Sequence, residues 1–325
     1  MYKRQVTVQD EAGDNIDAEV LSAIGGATVG TVTVTNAVNI VGTTAQVTAA
    51  LVTDDTKVIA STATVALDAG QTPTVSQLND IADATDGVVT ATLAAAALAD
   101  LGALATESDD DITITVNDGE GDDLNAETLS ALGGKTAGTV TVSNAVNIVG
   151  TTAQVTAALV TDDTKVIAST ATVALDAGQT PTVSQLNDIA DATDGVVTAT
   201  LAAAALADLG ALATESDDDI TITVNDGEGD DLNAETLSAL GGKTAGTVTV
   251  SNAVIISGTT TQVTGALVTD DTKVTASTAL VTLDDNPTIT QLNDIAGKTS
   301  GAVTGSLDAN SLSNLGCLLY TSDAA

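Results

Sequence analysis

Hydrophobic and polar residues follow two rhythms that take turns along this chain. Asp111-Ile-Thr-Ile-Thr-Val116, Thr139-Val-Thr-Val142 and Gly87-Val-Val-Thr-Ala-Thr-Leu93 alternate with period two, which predicts strands with apolar residues on one face and Thr on the other. Between such runs, Leu129 and Leu132, or Leu186 and Ile189, stand at helical spacing. Thr74-Val-Ser-Gln77 and Thr151-Thr-Ala-Gln154 have the spacing of a capping box, in which Thr and Gln each satisfy one free N–H of a helix start. Pro73 and Pro181 precede the Thr74 box and its copy, where they help to stop the strand before them. Gly87 and Gly133-Gly134 predict left-handed turns that end helices.

The pattern repeats literally. Asn36–Val146 recurs letter for letter at Asn144–Val254, a shift of 108 residues, and a drifted third copy follows. A finer period lies inside: Leu129–Val142 (LSALGGKTAGTVTV) aligns without a gap with Leu292–Gly305 (LNDIAGKTSGAVTG), and Leu21–Val34 follows the same scheme. Taking Ile81, Leu104, Leu132, Leu159 and Ile189 as equivalent anchors gives spacings of 23, 28, 27 and 30 residues, four helix–strand units per period. In the unit built on Val155 and Leu159 the strand is either Val166–Ala168 or Thr172–Leu175. Parallel neighbours need a crossover, so helix then strand, repeated, predicts an α/β solenoid with a parallel sheet. The layout resembles leucine-rich repeats in unit length and order, but lacks their Leu-x-Leu-x-x-Asn signature, since Val140-x-Val142-x-Asn144 is one residue short. Tandem β-sandwich domains of about 108 residues are the alternative.

The two ends change how much of the chain bears on the fold. Cys317–Thr321 back-translates to a sequence whose reverse complement encodes Met1–Gln5, so residues 1–5 and 317–325 read as translated sequencing adapter. The repeat array is then Val6–Gly316, a segment of a longer reading frame. Without those ends the chain has no His, Cys, Arg or aromatic residue, and its core is built from Val, Ile, Leu and Ala. At 43% hydrophobic residues with visible periodicity it is expected to fold despite a net charge of −36. That charge repels nucleic acid and anionic membranes, and no apolar run reaches transmembrane length.

The residue set argues against an enzyme. There is no His or native Cys to act as base or nucleophile. Gly134-Lys135-Thr136 echoes a phosphate loop, but Leu129 stands where the upstream Gly is required; Lys135 is expected solvated at the end of its own helix. Carboxylate pairs such as Asp109 and Asp111 recur in every copy, unlike a single active site.

One segment does suggest a ligand. Asn117-Asp-Gly-Glu-Gly-Asp-Asp-Leu-Asn125 recurs at Asn225–Asn233 and, degenerate, at Gln9–Asn15. Ca²⁺ takes six to eight oxygens from flexible loops, which makes Asp118, Glu120, Asp122 and Asp123, with Asp226, Glu228, Asp230 and Asp231, the candidate metal ligands. Gly119-x-Gly121-x-Asp123 resembles the front of the nonapeptide of secreted calcium-binding repeat proteins, although Leu124 arrives one position early. The other reading is a solvated loop that caps the helix starting near Asn125. A second regular feature is the Thr-x-Thr rows at Thr31/Thr33, Thr113/Thr115 and Thr139/Thr141, interrupted at Ser143, Ala91 and Ala168. They resemble the ice-binding face of Thr-rich solenoids, and such rows could also hold glycans; Thr equally suits any solvent-facing strand position.

In style, Val6–Gly316 resembles the acidic tandem-repeat regions of giant bacterial surface and adhesin-type proteins. The resemblance implies an extracellular or cell-surface setting and a structural or adhesive role, often stiffened by calcium. Neighbouring repeats are the first partners it implies, and surface glycans or other cells the next.

Overall fold

Helix and strand alternate along the chain as the two sequence rhythms do. The structure is a computed structural model that describes residues 5–164 and 166–307. The adapter-like ends, apart from Gln5, lie outside the described residues, as do positions 308–316 of the array. Contacts divide the chain into two compact units, Met1–Ala171 and Thr172–Ala325. The strands form four parallel sheets, and the fold is a repetitive α/β solenoid. Every strand pairing described is parallel, which removes the β-sandwich alternative, because sandwiches are built from antiparallel neighbours.

Unit 1 carries helices α1 (Ala18–Gly26), α2 (Thr44–Val47), α3 (Val75–Ala82), α4 (Leu98–Leu101), α5 (Ala126–Gly133) and α6 (Thr152–Leu159). Unit 2 carries α7 (Val183–Ala190), α8 (Leu206–Leu209), α9 (Ala234–Gly241), α10 (Thr260–Leu267) and α11 (Ile289–Ala296). The capping boxes expected at Thr74 and Thr151 form with both halves bonded, and four more form at Thr43, Thr182, Thr259 and Thr288. Asn125 caps α5 by accepting the Thr128 N–H at 3.0 Å. Two expectations about glycine need correction. Gly134 ends α5 at φ −70, in the ordinary helical region. Gly87 is there for space, because a Cβ on it would lie 2.2 Å from the Ala63 carbonyl oxygen.

Most coils carry two short strands where the sequence suggested one. Val166–Ile167 and Thr172–Leu175 are both strands, so neither reading of that unit excluded the other. In unit 1, Val6–Val8, Val32–Val34 and Val58–Ile59 stack as one sheet. Asn15–Asp17, Asn39–Gly42, Thr64–Leu67 and Val89–Thr92 stack as a second row. The six-residue strand Asp111–Val116 then joins two periods. Its first half pairs back to Thr90, Ala91 and Thr92, and its second half pairs forward to Val140, Thr141 and Val142. The second row of one copy therefore becomes the first row of the next. Unit 2 repeats the device at Asp219–Val224, which pairs with Val197–Thr200 and then with Val248–Val250.

The core follows from the alternation. Ile112, Ile114 and Val116 are buried while Asp111 and Thr113 are exposed. Leu129 and Leu132 of α5, and Leu78 and Ile81 of α3, close the interior from the helix side. Burying one such side chain contributes about 2 kcal/mol. With no ring to fill a wide centre, the interior is a stack of thin aliphatic layers, one per coil, each buried only because its neighbours cover it.

Candidate functional site

The acidic loop between Asp111–Val116 and α5 is held by hydrogen bonds from three coils. The Asp118 Oδ2 accepts the N–H of Leu98, the first residue of α4, at 2.7 Å. Its backbone carbonyl accepts the Asn144 side-chain amide at 2.6 Å. Asp122 closes the turn on its own loop, its Oδ2 accepting the Gly119 N–H at 2.8 Å. Gly121 at φ +80 occupies a left-handed position that glycine tolerates, and its N–H donates to the Ala145 carbonyl at 2.8 Å. Asp123 Oδ1 accepts the Asn147 side-chain amide at 2.8 Å. Glu120 is exposed at the tip.

The second copy keeps this pattern. Asp226 accepts the Leu206 N–H at 2.7 Å, and Asp230 accepts the Gly227 N–H at 2.8 Å. Glu228 is exposed, and Asp231 stands beside Ile255, where the previous copy has the Asn147 amide. The degenerate first copy, which lacks the Gly-Glu-Gly run, still forms the turn: Asp14 accepts the Glu11 N–H at 3.1 Å, and the Asn36 amide reaches the Asp10 carbonyl at 2.6 Å. The loop's geometry thus survives loss of the residues that suggested a metal. Among the described residues, no three His, Cys, Asp or Glu side chains gather closely enough to hold a metal ion. Asp118, Asp122 and Asp123 are aimed at three different amides, so this arrangement does not fit a Ca²⁺ shell.

Sequence reasoning missed the residues with the most demanding environments. Asp110 and Asp218 are buried carboxylates, 4% and 3% exposed. Asp110 Oδ1 accepts the Val89 N–H at 2.7 Å and Oδ2 the Glu107 N–H at 2.9 Å, so both oxygens replace water with backbone donors. Its place in the run Asp109-Asp110-Asp111 was the available signal: the middle residue of three adjoins an alternating strand whose odd positions face solvent. Thr136 is also buried, at 2% exposed. Lys135 differs from its expected solvated position. Its Nζ reaches back to the carbonyls of Gly102, at 2.9 Å, and Leu104, beyond the end of α4 in the preceding coil.

The Thr rows are in register where they occur: Thr7 pairs with Thr33, Thr115 with Thr141, and Thr223 with Thr249 and then Thr275. Ala91 and Ala168 do not interrupt them, because both are buried on the inner face. The outward interruptions are Ile59, opposite Thr33, and Ile167, opposite Thr141. In unit 1 the Thr7–Thr33 row lies in a different sheet from the Thr115–Thr141 row.

Fold and side chains together define a tandem-repeat α/β solenoid whose polar residues are spent on joining one coil to the next. No protein-family model matches the chain, and no curated protein matches it significantly. No helix among the described residues is long and apolar enough to cross a membrane.

Proposed function

We propose that this chain is a structural or adhesive segment of a large secreted or cell-surface protein, in which copies add length rather than new chemistry. The observation that carries this reading is the recurrence of the same inter-coil bonds at 108-residue intervals. Asn144 to Asp118 and Asn252 to Asp226 are one such pair, and Gln154 to Glu127 and Gln262 to Glu235 are another. Each is a joint, and none leaves polar groups converging on a pocket. The net charge of −36 supports the same reading, since like-charged copies resist collapse onto one another. Calcium is a subordinate proposal: the acidic loops are held without it, and a bound ion would have to displace amide donors.

An ice- or glycan-binding Thr face is the second reading, favoured by the unbroken Thr223–Thr249–Thr275 row. A lattice binder needs continuous rows, and Ile59, Ile167 and the change of sheet between copies weigh toward the spacer. The test is fluorescent full-length chain on a glycan array and in an ice-recrystallisation assay. Silence in both supports a spacer. Saturable binding lost on Thr249→Ala would replace the spacer with a recognition surface.

A further inference from the structure

The four-residue helix α4 has no cap of its own, since Ala97 at its N-cap offers no side-chain acceptor. An isolated turn this short does not persist, because nucleation costs more than one or two hydrogen bonds return. What holds it comes from the coils on either side. Asp118 from the following coil puts a carboxylate on the Leu98 N–H at the positive end of the turn. Lys135, from the same coil, puts an ammonium on the Gly102 carbonyl just past the negative end. From the preceding coil, Asn79 donates to the Ala103 carbonyl at 2.9 Å and accepts the Ala105 N–H at 2.8 Å.

The same clamp recurs on α8. Asp226 accepts from Leu206 at 2.7 Å, Lys243 donates to Gly210 at 3.0 Å, and Asn187 brackets Ala211 and Ala213 at 2.9 and 2.8 Å. Leu98, Leu101 and Leu104 are 5%, 0% and 2% exposed, so the segment is shut at rest. Ahead of it, Ala96 makes a single bridge to Val116 in place of a full ladder.

We propose that α4 and α8, with the residues that flank them, are the yield points of the array. They open before any coil whose helix carries its own capping box, and so the solenoid gives way at one fixed place per period. Opening releases three leucines and two charged clamps while leaving the capped helices folded. This local opening belongs to the fold itself; its use as an extensible link rests on the spacer reading.

The test is hydrogen–deuterium exchange on the full chain. Amides of 98–104 and 206–212, which give identical peptides, are expected to exchange about tenfold faster than those of α3 and α7, or of α10. Changing both copies together, Asp118→Ala and Asp226→Ala with Lys135→Met and Lys243→Met, is expected to speed the α4 and α8 peptides about tenfold again and to leave α10 unchanged. Equal protection of α4 and α10 in the unaltered chain overturns the proposal whether or not the variant folds. So does a variant that accelerates every segment alike. A positive glycan array would remove the spacer reading without moving these rates.

Discussion

Thr136 docks on Ile112: its hydroxyl oxygen accepts the Ile112 N–H at 2.8 Å and lies 2.9 Å from the Ile112 carbonyl oxygen. The same oxygen accepts the Gly138 N–H at 2.8 Å, which fills both lone pairs. One hydroxyl thus stands in for a rung of sheet between two coils, and Thr244 does the same on Ile220. Thr136→Val keeps the shape and strands two buried N–H groups. It is expected to cost about 2–5 kcal/mol in urea unfolding, while Thr136→Ser costs under about 1.5 kcal/mol. Equal losses for the two variants would mean that the hydroxyl is not the joint.

Gly138 is part of the same joint for a steric reason. A Cβ there would sit 2.4 Å from the Ile112 carbonyl oxygen, with backbone on both sides of the clash. Gly138→Ala is expected to lower stability by about 3 kcal/mol through forced separation of the coils. Gly134→Ala is the control: its nearest neighbour would be 3.7 Å away at φ −70, so the change is expected to be neutral or to stabilise by about 0.5 kcal/mol. Thermal melts of the two variants check both signs.

Melting in Ca²⁺, Mg²⁺ and NaCl at matched ionic strength, against EDTA, tests the acidic loops. Because Asp118, Asp122 and Asp123 already accept amide hydrogens, Tm is expected to rise equally in all salts through screening of the negative charge. A rise specific to Ca²⁺ and lost on Asp118→Ala with Asp123→Ala would establish a calcium site through binding-linked stability.

The third copy carries its own pH dependence. Asp285 accepts hydrogen bonds from the Thr260 hydroxyl and then the Thr260 N–H, which hold its carboxyl below the ordinary 3.8. A depressed folded-state value means that the stabilisation is present above about pH 3.8 and is lost as pH falls through the folded value. In the first copy the Thr44 N–H meets neutral Gln71 instead, at 3.2 Å. Asp285→Asn is expected to flatten the loss of α10 helicity between pH 5 and pH 2, read by circular dichroism (about three pH units across the carboxylate range). An unchanged profile would place the acid sensitivity elsewhere.

Much of the local structure was legible because its causes lie within a few residues. The Thr74 and Thr151 capping boxes join groups three positions apart, and the alternation of Asp111–Val116 assigns each side chain to a face. The pairing of strands was not. The partner of Val140 is Ile114, 26 residues back, and similar Val-Thr runs at other distances offered the same chemistry. The candidate metal loop shows the same division. Its oxygen-rich composition was plain, but whether Asp118 serves a metal or the Leu98 N–H depends on what the previous coil brings near it.

By itself the sequence determined the period, the helix starts, the inward and outward faces, the aliphatic core and the acidic exterior, because these follow from composition and short-range geometry. Only the tertiary structure decided that most coils hold two strands and that Asp111–Val116 hands one row to the next. The same is true of the burial of Asp110 and Thr136 against a neighbouring coil, and of the support α4 takes from Asp118 and Lys135. Those outcomes rest on bonds between residues some 20 to 30 positions apart, where the register of one coil on the next selects the partner and the local sequence does not.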